Sequence, residues 1–295
     1  MRHRWGIIGF GEAGRAFAAQ LSKQNGARLF VTDPLLNGTA ASPVLRTKVG
    51  AISAEVIDDI ATLVQKAEVC LSLVTPTSAL AVAHAAGQAW REGLFIDCNS
   101  VSPDEKREMA GCFPPGAFVG AAILGSIAGE GTDSRIVLDG LSAEKAEEIL
   151  NAAGFRSKAI STNVGAAAAL KMCRSVFMKG IECLLIETML AASEFEITPA
   201  VLESVEDTLQ RFGFAGMVEM LVTTHAVHCR RRSDEMEKVS GMLTSMRLPN
   251  SMSAASGQLL AASARFGVTG YFQGQLPPGA RPVIEYLKRK YKENF

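Results

Sequence analysis

Two groups of residues have types and spacing that could do chemistry. The first is Gly9-Phe10-Gly11-Glu12-Ala13-Gly14, a GxGxxG run that follows the short apolar stretch Trp5–Ile8 and opens a segment of helical periodicity. In that context Gly9 makes a tight turn, Gly11 lets an anion approach the backbone, and Gly14 lets the helix pack close to a sheet. The amides and dipole at the helix start hold phosphate charge. Asp33 closes the next apolar run, where a carboxylate accepts hydrogen bonds from ribose hydroxyls and repels a 2′-phosphate. Pro34-Leu35-Leu36 supplies no phosphate receptor, so NAD is expected and NADP is the lesser alternative. Arg46 and Lys48 are the downstream cations that could reverse that preference.

The second group lies on a long apolar segment. Lys171, Ser175, Lys179 and Glu182 follow one another at steps of four, four and three residues, which puts them on one helix face. Lys171 sits between Ala166–Leu170 and Met172-Cys173, where an unpaired buried charge is costly. It is either a general acid/base, its proton loosened by desolvation, or a lysine that reaches from the helix start to solvent. Ser175 would orient substrate or the lysine. Lys179 would bind a carboxylate or pair with Glu182. Asn99 and Ser100 follow a strand and are placed either to meet a nicotinamide ribose or substrate, or to cap the helix at Pro103, for which Ser102 is the better residue.

Other candidates carry less. His225 and His228 have no third ligand at helical spacing, so no metal site is expected. Arg230-Arg231-Arg232 reads as a solvated face paired with Asp234, Glu235 and Glu237, or as an anion site for an acidic substrate. The six cysteines (Cys70, Cys98, Cys112, Cys173, Cys183 and Cys229) form no CxxC pair and are expected to be reduced, mostly buried thiols of a cytoplasmic protein.

The elements that must position these residues change character along the chain. Apolar runs at Trp5–Gly9, Arg28–Thr32, Val69–Val74, Leu94–Asp97, Ala117–Ile123, Arg135–Leu138 and Phe155–Ile160 alternate with helical segments at Glu12–Gln24, Ala54–Lys66, Thr77–Trp90 and from Ser142. That alternation implies a doubly wound, mostly parallel α/β sheet of Rossmann type over residues 1–162. Residues 163–295 read as all-helical, entered by a long helix from Val164 to Ser193 that would run about 45 Å. So apolar a helix must be covered on several sides, and a homodimer built on the helical half is expected. Helices at Pro199–Arg211, Gly216–Arg232, Asp234–Met246 and Val283–Lys292 complete the reading.

Composition narrows the function classes. Lys+Arg and Asp+Glu are 30 each, so the formal net charge is zero and a general nucleic-acid binder is not expected. No apolar run is long enough for a membrane helix, and the apolar stretch after Arg4 is broken by glycines and Glu12, unlike a leader peptide.

Four segments in order resemble the β-hydroxyacid dehydrogenase superfamily, which includes 3-hydroxyisobutyrate and 6-phosphogluconate dehydrogenases. They are the GxGxxG run, Leu73-Val74-Thr75-Pro76, Asp97-Cys98-Asn99-Ser100-Val101-Ser102-Pro103 (similar to D-x-S-T-x-x-P) and Gly165–Lys171 (similar to G-x-x-x-x-x-K). The resemblance implies an oxidoreductase passing a hydride between a nicotinamide cofactor and a small hydroxy acid or its oxo form. Val74, Thr75 and Pro76 would lie beside the cofactor, and Lys171 would be the general acid/base. Lys171-Met172-Cys173, Lys179-Gly180 and Arg230–Met236 are similar to a branch with its own 6-phosphogluconate-dehydrogenase-like C-terminal domain. The family substrate loop P-V-S-G-G corresponds here to Ala122-Ile123-Leu124-Gly125-Ser126, and the asparagine four residues after the lysine is Ser175. Both departures fall on the substrate side. They leave Leu124, Gly125 and Ser126 as candidate substrate contacts, and the missing residue pair at Arg174 and Ser175 counts against 6-phosphogluconate-type decarboxylation. Imine reductases share this architecture but usually lack the lysine, and a non-catalytic dinucleotide sensor would not need it.

Overall fold

The computed structural model describes residues 3–37, 42–125 and 131–294. Among them, eight strands form one sheet: β1 (Arg4–Ile8), β2 (Arg28–Thr32), β3 (Glu55–Val56), β4 (Val69–Ser72), β5 (Leu94–Asp97), β6 (Phe118–Leu124), β7 (Arg135–Asp139) and β8 (Arg156–Ser161). Their order is β3-β2-β1-β4-β5-β6-β7-β8, parallel throughout except for the antiparallel pair β6–β7. The strand order reverses at β1, so a crevice opens between the carboxyl ends of β1 and β4, the place where such sheets bind nucleotides. The helices of this part are α1 (Glu12–Ser22), α2 (Pro43–Ala51), α3 (Ile60–Lys66), α4 (Pro76–Ala89), α5 (Pro103–Ala110) and α6 (Ala143–Ala152).

Strand residues are buried on both faces, as a parallel sheet covered by helices requires. Ile7, Leu71, Ile96 and Val119 join Phe17 and Leu21 of α1 and Leu150 of α6 in one core layer. Phe30, Cys70, Phe95 and Phe118 join Leu63 of α3, Ala83 of α4 and Met109 of α5 in the other. The expected helix over 54–66 is two elements. Glu55–Val56 pairs with Phe30–Val31, and α3 starts only where the Asp59 side chain accepts the Thr62 amide at 2.8 Å. Helix α2 was not anticipated, because it buries only Val49 and so carries little periodic signal.

The described residues pack as two compact units, Met1–Ser175 and Val176–Phe295. The change in sequence pattern lies at 162/163, whereas the units meet inside α7 (Ala166–Glu194), whose first turns belong to the first unit. The second unit contains the rest of α7, then α8 (Thr198–Ser245), α9 (Ser251–Arg265), α10 (Val268–Tyr271) and α11 (Ala280–Asn294). The three helices expected between 199 and 246 are one element with a single break. Gly213 has φ 61° and ψ 170°, a backbone that other residues rarely adopt, and this divides α8. No break falls near Ser233, whose hydroxyl instead donates to the Gly257 carbonyl of α9 at 3.1 Å.

This unit has a small core of Ala226, Cys229, Val268, Val283 and Tyr286. Its firmest polar anchor is Glu187, a buried carboxylate on α7 that caps the start of α9. Glu187 accepts the amides of Met252 at 2.9 Å and Ser253 at 2.8 Å, together with the Ser253 hydroxyl. Burial alone would raise its pKa, but these hydrogen bonds outweigh burial and hold it below the ordinary glutamate value. A depressed carboxylate stabilises the fold above its unfolded pKa, and that contribution is lost as pH falls through the folded value. Glu187→Gln is therefore expected to cost about 2 kcal/mol at pH 7, or roughly 5 °C in Tm, with the gap to wild type closing below about pH 4. Thermal melts across pH check this, and a gap constant in pH would contradict it.

Candidate active site

The glycine loop joins the end of β1 to α1. Gly9 has φ 94°, and a Cβ there would lie 2.5 Å from the Leu73 carbonyl oxygen. A Cβ on Gly14 would lie 2.0 Å from the Gly9 carbonyl oxygen, so both glycines are required by close approach. At Gly11 nothing stands within 4 Å of the corresponding point, which leaves open space before the helix. Gly11 is also the N-cap of α1 and supplies no side-chain cap, so the first-turn amides of Glu12, Ala13 and Gly14 face that space without an intrahelical acceptor. This arrangement fits a pyrophosphate. Phe10 turns its side chain into the core, and its amide donates to Asp33 Oδ2 at 2.7 Å. Asp33 Oδ1 accepts the Leu35 amide at 2.8 Å, which fixes the carboxylate at the mouth of the crevice.

A cleft of about 1020 Å³ runs from this loop along the carboxyl ends of β1, β2 and β4. It is lined by Gly9, Gly11, Glu12, Asp33, Val74 and Thr75, with Asp58 and Asp59 at its far wall. Thr75 is the N-cap of α4 and Pro76 stands at the helix start, while the Thr75 hydroxyl meets those of Thr77 and Ser78, each at 3.0 Å. The Thr62 amide and hydroxyl hold the Asp59 carboxyl below its usual range. Arg46 is turned away, donating from Nε and a terminal nitrogen to the Leu36 carbonyl at 3.1 and 2.9 Å. Lys48 lines a separate groove with Phe10 and Arg15.

The end of β5 carries a buried polar cluster that the sequence did not disclose. Lys106, on α5, is 1% exposed. Its ammonium donates to the Asp97 carboxylate, to the Asp97 carbonyl at 2.6 Å and to the Ala121 carbonyl at 3.1 Å. Asn99 is buried and donates from Nδ2 to the Asp97 carboxylate and to Ser72 Oγ at 2.9 Å. The helix role weighed for this turn falls to Ser102, which makes a capping box with Glu105. Lys106 reads in sequence as one more charge in Asp104-Glu105-Lys106-Arg107. The signal that could have flagged it is its place three residues after Pro103, on the turn that faces the sheet.

Helix α7 begins over the same sheet edge. Asp139, fully buried at the end of β7, accepts the amides of Gly165 at 3.0 Å and Ala167 at 2.7 Å. Burial pushes its carboxyl above the ordinary value, against the opposing pull of those amides and of Lys106. One turn further on, half-buried Lys171 donates to Ser100 Oγ at 2.7 Å. Leu124, at the end of β6, packs beside Leu170 against Ala167. Gly125 follows with φ 140°, and Ser126 lies outside the described residues. Thus Asn99, Ser100, Leu124 and Lys171 are brought to one edge of the sheet. Ser175 is half-buried one turn beyond Lys171, and Lys179 is exposed beyond it.

The remaining candidates lie elsewhere. Burial, then Arg232, lower the His225 pKa, and its Nε2 is buried without a hydrogen-bond partner. Among the described residues no group of three His, Cys, Asp or Glu side chains could hold a metal ion. Arg231 pairs with Glu235 at 3.1 Å and Arg232 donates to the Thr224 hydroxyl at 2.8 Å, so these two arginines serve their own helix. All six cysteines are free, but Cys173 and Cys183 are exposed on α7, contrary to the expected burial. Burial pushes the Cys98 thiol up to about 12, away from the reactive thiolate form.

Comparison with known proteins agrees with this geometry. Residues 5–106 match a family model described as the saccharopine dehydrogenase NADP binding domain, and residues 192–262 match a domain of unknown function, DUF1932. A conserved hypothetical protein from Sinorhizobium meliloti is 33% identical, with 98% of this chain and 97% of that one covered and a TM-score of 0.65. A conserved protein of unknown function, MTH1747, described as structurally similar to 3-hydroxyacid dehydrogenases, is 30% identical over 92% of this chain and 99% of its own, with a TM-score of 0.64. The fold is also that of the V8 variant of an imine reductase from Myxococcus stipitatus, whose NAD+ complex gives a TM-score of 0.75 at 16% identity, covering 97% of this chain and all (100%) of that one. An imine reductase from Myxococcus stipitatus in complex with NADP+ gives a TM-score of 0.70 at 14% identity. The chain belongs to the β-hydroxyacid dehydrogenase superfamily of nicotinamide-dependent oxidoreductases.

Proposed function

We propose that the protein transfers a hydride between a nicotinamide cofactor and a small hydroxy acid or its oxo form, with Lys171 as general acid/base. The observation that carries this reading is the Lys171 ammonium on Ser100 Oγ at 2.7 Å, beside Asn99 at the carboxyl edge of the sheet. A bound nicotinamide would supply the hydride chemistry. The chain's own part is to bind, orient and move a proton. Gly9, Gly11 and the first-turn amides of α1 bind the pyrophosphate, Val74-Thr75-Pro76 flank the cofactor, and Asn99 meets the nicotinamide ribose. Lys171 Nζ takes the proton of the substrate hydroxyl, or returns it to the oxo form, and Ser100 and Ser175 orient the lysine and substrate. Leu124 and Gly125 contact the substrate. The free cysteines support a reducing, cytoplasmic setting. Among the described residues no helix is long and apolar enough to cross a membrane.

Lys171→Ala is expected to lower turnover at least about a hundredfold while leaving cofactor affinity nearly unchanged, because the glycine loop and Asp33 lie at another edge position. It should also abolish the limb of the pH–rate profile that reports this group. Ser175→Ala should cost less. A folded, NAD-binding Lys171→Ala protein with near wild-type turnover would defeat the proposal.

NAD is the preferred cofactor in this reading, although the matched family model is described as NADP-binding. Asp33, Asp58 and Asp59 all line the cleft, and Arg46 is committed to the Leu36 carbonyl. Like charges about 4 Å apart near a protein surface repel by several kcal/mol, so NADH should bind at least about tenfold more tightly than NADPH. Fluorescence titration with both cofactors measures this, and equal affinities would reverse the assignment.

The second unit supports a homodimer. Helix α7 was expected to be covered on several sides, yet within one chain Val176 is 77% exposed, and Phe177, Leu184, Leu185 and Ile186 are exposed as well. So much open apolar surface is normally buried by a partner of the same kind. Light scattering at micromolar concentration should give twice the chain mass of 31.3 kDa. A mass of one chain would exclude the dimer.

A further inference from the structure

The buried cluster at the end of β5 links Lys106, Asp97, Asn99 and Ser72 in one connected set of hydrogen bonds. All three N–H groups of Lys106 are spent: on the Asp97 carboxylate, the Asp97 carbonyl at 2.6 Å and the Ala121 carbonyl at 3.1 Å. The other carboxylate oxygen of Asp97 accepts from Asn99 Nδ2, and so does Ser72 Oγ at 2.9 Å. Both donors of the Asn99 amide are therefore consumed below the sheet edge. Its Oδ1 is buried and accepts no hydrogen bond among the described residues. An amide can be turned by half a rotation at small steric cost, so its two ends are distinguished only by their partners. Here the partners choose. Asp97 and Ser72 Oγ receive the NH2 end, and acceptor capacity alone remains.

We propose that Lys106, Asp97 and Ser72 are positioning residues that lock the Asn99 amide so that it meets the cofactor only as a hydrogen-bond acceptor, for a hydroxyl of the nicotinamide ribose. The proposal rests on the reading of Asn99 as a cofactor contact given above. Lys106 fixes Asp97 rather than touching the ligand. Its ammonium supplies the counter-charge that a lone buried carboxylate would lack, and the carboxylate it fixes holds Asn99 Nδ2. The same cluster holds the chain just before Ser100, the seat of Lys171.

A matched set of variants tests this. Replacing a buried ion pair by apolar groups is often neutral for stability. D97V/K106M should therefore fold while removing the acceptor that orients Asn99. D97N/K106M removes the charges but keeps an acceptor for Asn99 Nδ2. Affinities for NADH and for ADP are measured on each, with Tm. N99A and D97V/K106M are expected to weaken NADH about tenfold, the size of one well-placed hydrogen bond, and to leave ADP within about twofold because ADP reaches only the glycine loop and Asp33. D97N/K106M should recover most of the lost NADH affinity, and S72A should lose about threefold. A D97V/K106M protein that folds and binds NADH like wild type, while N99A binds it weakly, overturns the relay but leaves Asn99 as a cofactor contact. An N99A protein with wild-type NADH affinity overturns the Asn99 reading itself. Should D97V/K106M fail to fold, S72A decides: unchanged NADH affinity there overturns the relay.

Discussion

Asp139 gives one buried carboxylate oxygen to the amides of Gly165 and Ala167. The last residue of β7 thereby fixes where α7 starts, and with it the height and rotation of every side chain on its first turns. Lys171 follows one turn after the capped amide. A helix start carries partial positive charge and a lone buried carboxylate is costly, so each offsets the penalty of the other. Burial raises the pKa of Asp139 against the pull of both amides and of Lys106. An apolar replacement would leave the amides of Gly165 and Ala167 without this acceptor. The Asp97–Lys106 pair does the same for the adjoining turn, so two buried polar anchors register the helix-borne and strand-borne halves of the site against each other.

Much of this was legible beforehand, and the reasons differ by region. The parallel strands are short apolar runs because both faces are covered, and seven of them stand out against their glycine, proline and aspartate boundaries. β3 and α2 did not, since a two-residue strand and a helix burying one side chain leave almost no periodic trace. The glycine loop was readable because its residues act through what they lack. Lys171 could be singled out as a charge in an apolar stretch. Lys106 could not, since sequence shows four charges in a row and only the fold shows that one of them points inward. A break between Arg211 and Gly216 was legible, and it falls at Gly213. The absence of a break at Ser233 was not, because its hydroxyl is satisfied by α9 rather than by its own helix.

The helical half shows how far hydropathy alone can mislead about a single chain. Helix α7 is apolar enough to demand cover, but that cover is not supplied by the residues packed around it. Its phenylalanine, valine and leucine side chains stay exposed, whereas its buried glutamate belongs to the packing of α9. Hydropathy thus marks a helix that needs cover without saying which of its faces the chain itself covers.

Arg46 adds a consequence for how cofactor choice could drift over time. Two donors of its guanidinium are held by the Leu36 carbonyl. Losing the Asp33 carboxylate would lift a repulsion without creating an attraction, and it would also deprive Phe10 and Leu35 of their acceptor. Freeing Arg46 alone would set an attraction against an intact repulsion. Neither step by itself gives a 2′-phosphate both a receptor and a site free of opposing charge.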